Sequence, residues 1–291
     1  MKILKFIRTA FLLMIGFIII INVLIRIGQR STYSFHGDEK TIPKPQVKLL
    51  LNKDSTLSFD SFVFTHQRYW NPSTSNKEQR LAYQVRLSRA RKESIFRAHK
   101  LMMHYFMRRI TEGDSSTALG IVYRELDSRF RGNIAHLADS LKLIGSKNEL
   151  NRFELADLVV SFVQDFPYWY VLGKESCTSP DFKGHPCIDD IEFGLLSPGE
   201  VAFLAAGDCD SKALLIFSLL KHLGYEPLIV TSDEYAHAML ALNIPSGGDF
   251  LLYKGVRFYF WETTASGWQP GMLPPETGNK NYWEIALTYE D

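Results

Sequence analysis

The hydrophobic period of this chain passes from helical to alternating near Pro167, and that change limits the folds open to it. Ala118, Val122, Leu126 and Phe130 recur at helical spacing, and Ile134, Leu137, Leu141 and Ile144 continue as a second helical seam. Asn151 and Glu154 form a capping-box pattern ahead of Leu155, Leu158, Val159 and Phe162, and Pro167 ends that helix. Residues 168–200 carry several Gly and Pro and read as loop. A helix is expected over 208–223, closed by Gly224. Beyond it, 227–231, 235–243, 250–254 and 256–264 read as strands, with Gly255 at a hairpin turn. Helices, then one cysteine-bearing helix, then an antiparallel meander make an α+β pattern.

Composition narrows the function classes. The 291 residues hold 33 basic and 32 acidic side chains, so no global charge draws the chain to nucleic acid. Apolar residues make up 46% and charged residues 22%, values of a folded chain and not a disordered one. Three cysteines are too few for a disulfide scaffold of this length.

Gly207-Asp208-Cys209-Asp210-Ser211-Lys212-Ala213 places Cys209 in the first turn of the expected helix. Free N–H groups and the positive end of the helix dipole favour a thiolate there. In the strand over 235–243, alternation sets Ala236, Ala238, Leu240 and Leu242 on one face, and Tyr235, His237 and Met239 on the other. In the last strand Val256, Phe258, Phe260 and Glu262 share a face, and a carboxylate among them needs a partner if buried. An imidazole N–H is the partner that makes the set chemically useful. A zinc site is the other use of Cys and His, but Cys177, His185, Cys187 and Cys209 lack metal-ligand spacing, so no metal or cofactor is expected.

The segments GDCDSKALLIFSLLKHLGYEPLIV, YAHAMLAL and RFYFWETTASG resemble the transglutaminase-like superfamily, and within it bacterial transglutaminase-like cysteine proteinases of papain-like fold. FVQDFPY and SPGEVAFLAAGDC resemble that subgroup's approach to its cysteine, and the likeness covers about residues 150–270. Glu262 stands where the superfamily more often has Asp. The resemblance implies that Cys209 is a nucleophile, His237 its general base and acid, and Glu262 the group orienting the imidazole. It also makes Gln164 a candidate oxyanion donor together with the Cys209 N–H. The implied activity is thioester acyl transfer on a protein or peptide substrate. Water as acceptor gives a peptidase or amidase, and a lysine amine gives a crosslinking enzyme. A domain that only grips peptide is the non-catalytic alternative.

The N-terminus adds an expected location. Residues 9–25, TAFLLMIGFIIIINVLI, carry no charge and would span roughly 26 Å as a helix. No small-residue cleavage site follows, so 1–27 reads as a signal anchor, with a cleaved signal peptide as the alternative. Lys2, Lys5 and Arg8 precede the span, which sets the N-terminus in the cytoplasm and the bulk outside. Residues 28–55 read as a linker, 56–148 as a largely helical region and 149–291 as the catalytic domain. Within the second region, 56–64 reads as a short strand and 80–110 as a long helix with a basic face that includes Arg86, Arg89 and Arg97. That face is read either as a solvated surface or as a contact for anionic lipid or polymer. Outside the cytoplasm Cys177 and Cys187 can pair, leaving Cys209 free; in the cytoplasm they would be two free thiols.

Overall fold

The computed structural model of the chain describes residues 46–48, 61–72, 78–88 and 115–291. These all belong to a compact unit, Pro43–Asp291. The expected anchor over 1–27, the rest of the 28–55 linker and the basic face beyond residue 88 lie outside the described residues. Among the described residues no helix is long and apolar enough to cross a membrane.

Two long strands, β2 (Ser61–Trp70) and β3 (Gln79–Ser88), pair antiparallel, and β1 (Gln46–Lys48) adds to the outer side of β2. Two expectations are corrected here. Gln46–Lys48 pairs as a strand inside the expected linker, and residues 80–88 are strand where the long helix was expected to begin. The cause is visible in the sequence: Leu81, Tyr83, Val85 and Leu87 alternate with Arg80, Ala82, Gln84 and Arg86, which is a period of two. Trp70 and Tyr83 turn inward, each edge-on to Phe162. The Trp70 indole donates to Ser161 Oγ at 3.1 Å and the Tyr83 hydroxyl to the Ala202 carbonyl at 3.0 Å, so both buried polar tips are satisfied.

Helices α1 (Ser115–Phe130), α2 (Ala135–Lys147) and α3 (Arg152–Gln164) follow. The expected capping box at Asn151 and Glu154 forms in both directions. Between 168 and 200 the structure is less irregular than expected. Strands β4 (Tyr170–Val171) and β5 (Cys187–Ile188) pair in parallel, and a short helix α4 (Pro198–Leu204) precedes the cysteine helix α5 (Cys209–His222).

Strands β6 (Pro227–Ser232), β7 (His237–Leu242), β8 (Phe250–Tyr253), β9 (Val256–Trp261) and β10 (Glu284–Leu287) form one antiparallel sheet in the order β10-β6-β7-β9-β8. This differs from a simple meander, because β9 inserts between β7 and β8, and β10 returns to the far edge. Lys254 and Gly255 both have positive φ (50° and 78°), which is the two-residue turn that matches strand twist in a hairpin. Ile229, Leu240, Leu242, Trp261 and Leu287 join the main core with Phe162, Leu214 and Phe217. Leu228, Val230, Met239, Ala241, Phe258 and Phe260 form a second cluster with Trp283. Each fully buried large side chain contributes roughly 1.5–3 kcal/mol, so the sheet is held from both faces. The architecture is α+β, with the cysteine helix and the sheet sharing the main core.

Candidate active site

Helix α5 begins where the sequence places it. Asp208 is the N-cap, its side chain accepting from Ser211 N at 3.0 Å, and Cys209 is the first helical residue. The chemistry at that residue differs from the expectation. Cys209 is only 5% exposed, and its Sγ–H donates to Asp210 Oδ2 at 3.4 Å. Burial, then the carboxylates of Asp210 and Asp208, push the thiol well above its ordinary pKa, although the Ala238 backbone N–H pulls the other way. The helix end favours a thiolate, but desolvation and two flanking carboxylates outweigh it. The resting sulfur is therefore a protonated thiol. Asp210 is itself fixed by the Tyr123 hydroxyl, which donates to its other oxygen from α1.

His237 opens β7, opposite Ser232 of β6. Its Nε2 lies 2.9 Å from Glu262 Oε2. Glu262 follows directly after β9 and is 3% exposed. Its second oxygen, Oε1, accepts from Thr263 N at 2.9 Å, Thr264 N at 2.7 Å and Thr264 Oγ1 at 2.5 Å. Burial raises the Glu262 pKa, but the hydrogen bonds from His237 and Thr264 outweigh it and hold the carboxyl at about 2. Burial likewise lowers His237, yet Glu262 and then Asp210 leave its pKa raised. An ionised carboxylate at Nε2 requires Nε2–H there, so a neutral ring carries its lone pair on Nδ1.

The structure thus joins His237 to Glu262 and sets His237 at the same cavity as Asp210, the partner of the Cys209 sulfur. The sulfur's hydrogen bond goes to Asp210 and not to His237. Gln164 is 4% exposed, and its Nε2 donates to the Glu262 carbonyl at 2.6 Å, which fixes the backbone behind the carboxylate.

Three residues were missed. Lys212, fully buried one turn after Cys209, donates to the carbonyls of Gln164 (3.3 Å), Phe166 (2.8 Å) and Thr264 (3.1 Å). It ties α5 to the end of α3 and to the loop after Glu262, and burial pushes its pKa down to about 7. A lysine three positions after Cys209, directly ahead of the apolar run Ala213–Phe217, was the available signal. Tyr123 gave no local signal, since its partner is distant in sequence. Tyr168 pairs in a parallel bridge with Gly207, two residues before Cys209.

A cavity of about 310 Å³ opens beside His237, between Leu119 of α1, Asp210, and the β6–β7 turn with Asp233 and Ala236. On another side, Cys177 and Cys187 form a disulfide, which leaves Cys209 as the free thiol. Among the described residues, no group of three or more His, Cys, Asp or Glu is placed to hold a metal ion. Comparison with protein-family models, with curated proteins and with solved structures returned no match for this chain.

Proposed function

We propose that the chain is a membrane-anchored, extracytoplasmic cysteine peptidase or amidase with a transglutaminase-like, papain-like core. The observation that carries this reading is the buried His237–Glu262 pair at 2.9 Å, whose imidazole lines the same cavity as Asp210, the hydrogen-bond partner of the Cys209 sulfur. A carboxylate accepting three further hydrogen bonds is held in one orientation, so it can fix the imidazole's tautomer through catalysis. The Cys177–Cys187 bridge supports the extracytoplasmic setting.

On this reading the chemistry is acyl transfer through a thioester. The Cys209 proton passes to His237 Nδ1 as Sγ attacks the substrate carbonyl carbon. The imidazolium then protonates the leaving amine, and the C–N bond breaks to give a thioester. Water, deprotonated by the same imidazole, adds to the thioester and releases acid and thiol. A lysine amine in place of water gives crosslinking by the same steps.

A second reading, a peptide-binding scaffold without catalysis, is favoured by one observation: the resting thiol is buried and protonated. Alkylation of Cys209 by iodoacetamide separates the two. The enzyme reading predicts that His237→Ala slows alkylation at pH 7 by about tenfold or more. An alkylation rate indifferent to His237 assigns the domain to the scaffold.

A further inference from the structure

We propose that Tyr168 supplies the side-chain hydrogen bond to the oxyanion formed on attack by Cys209, and that the disulfide-closed loop holds its ring in place. This inference rests on the reading of Cys209 as a nucleophile. Gln164, the donor the sequence suggested, spends one of its two amide N–H groups on the Glu262 carbonyl. Tyr168 is placed by backbone, not by chance rotamer. The Gly207 N–H donates to the Pro167 carbonyl at 3.4 Å and the Trp169 N–H to the Gly207 carbonyl at 3.2 Å, so residue 168 runs alongside 207, two residues before the cysteine.

Tyr168 is 38% exposed while Cys209, two residues beyond its bridge partner Gly207, is 5% exposed, so the ring stands on the solvent side of the nucleophile, where a carbonyl would arrive. As the first residue of α5, Cys209 has a backbone N–H without an intrahelical acceptor. The two donors together make the pair that a tetrahedral oxyanion needs. Burial and the charges at Cys209, Asp208 and Asp210 raise the phenol's pKa, which keeps it a donor.

The loop acts as a buttress. Tyr168 packs edge-on to Tyr170 with ring centroids 5.4 Å apart, and Tyr170 packs in turn on Phe182 (5.2 Å) and His185 (5.7 Å). Phe182 and His185 lie inside the Cys177–Cys187 loop, and Tyr170 is the β-sheet partner of Cys187. An unbroken chain of contacts therefore runs from the disulfide to the phenol.

Two reagents test this on the full-length chain. p-Nitrophenyl acetate acylates Cys209 through a tetrahedral oxyanion: the S–C bond forms, the C–O bond breaks, p-nitrophenolate leaves and the thiol proton passes to His237. Iodoacetamide reacts by direct displacement of iodide and forms no oxyanion. Tyr168→Phe keeps the ring and its packing and removes only the hydroxyl. The expected result is acylation slowed roughly 100-fold with alkylation within about twofold of wild type. Opening the loop with Cys177→Ser and Cys187→Ser gives a smaller loss of the same kind. Unchanged acylation in Tyr168→Phe overturns the proposal, as does an equal change in both reactions, which would mark a general structural role. If alkylation of the wild-type chain is also indifferent to His237→Ala, the nucleophile reading itself has failed and this inference goes with it.

Discussion

Replacing Glu262 by Gln keeps the size of the side chain and removes its charge, and the surrounding donors determine what happens next. Three donors converge on Oε1: the amides of Thr263 and Thr264 and the Thr264 hydroxyl. The glutamine carbonyl must take that position, which turns its NH2 toward His237 Nε2. A donor facing Nε2 forces the neutral ring to carry its proton on Nδ1, the nitrogen that should accept from the thiol. Ring nitrogen NMR should therefore show Nε2–H in the wild type and Nδ1–H in the variant. Activity falls by about 10⁴, the scale found when a triad carboxylate becomes an amide elsewhere.

Stability changes as well, with a pH signature. A carboxyl held at about 2 instead of 4.5 corresponds to about 3 kcal/mol of folding free energy at neutral pH. Because the folded value is depressed, that contribution is complete above pH 4.5 and is lost as pH falls toward 2. His237 is raised, so its share is complete below 6.5 and is lost as pH climbs through the folded value. Both describe one interaction and are not added. The pair is thus most stabilising between about pH 4.5 and 6.5. Urea unfolding of wild type and Glu262→Gln should differ by about 3 kcal/mol near pH 6, and by about half that near pH 3. A difference that does not change with pH, or a variant ring that keeps Nε2–H, would refute the reasoning.

Further consequences concern the groups around the pair. Asp210→Asn removes the nearer of the two carboxylates that disfavour the thiolate, so the pH–rate profile for iodoacetamide alkylation should move to lower pH. The rate at pH 7 should rise about tenfold or more. Lys212 falls from 10.5 to about 7 on burial, so the unfolded chain binds more protons between those values and wild-type stability rises across that window. Lys212→Met lacks that rise, which urea unfolding at pH 7.5 and pH 10 will show. The Cys177–Cys187 bridge closes a short loop with a sequence separation of 10, so Cys177→Ser with Cys187→Ser lowers stability by about 2–3 kcal/mol in thermal unfolding. Reductant should then have no further effect on that variant.

The elements legible in the sequence were those with a local cause. The box at Asn151 and Glu154, the N-cap at Asp208 and the turn at Lys254 and Gly255 each depend on residues within three or four positions of one another. Where two periods met, the longer signal masked the shorter. The alternation from Leu81 to Leu87 specifies β3, but Ile95, Ala98 and Met102 beyond it carry a helical spacing that drew the boundary back. Strand order was not legible, because insertion of β9 between β7 and β8 is decided by pairing, to which no single stretch of sequence testifies. The four-residue β10 was too short to carry a period at all.

The site divides along the same line. That His237 and Glu262 meet could be read from two strand ends needing partners, and the neighbouring threonines in WETT even name the donors that lock the carboxylate. The ionisation state of Cys209 could not. Its helix position argues for a thiolate, and that argument is local and sound. Burial opposes it first, and then the field of Asp210, whose side chain turns onto the sulfur while its other oxygen accepts a hydroxyl from Tyr123, 87 residues upstream. A neighbour in sequence thus acquires its electrostatic effect from a contact distant in sequence. It follows that α1 belongs to the electrostatics of the site as much as α5 does.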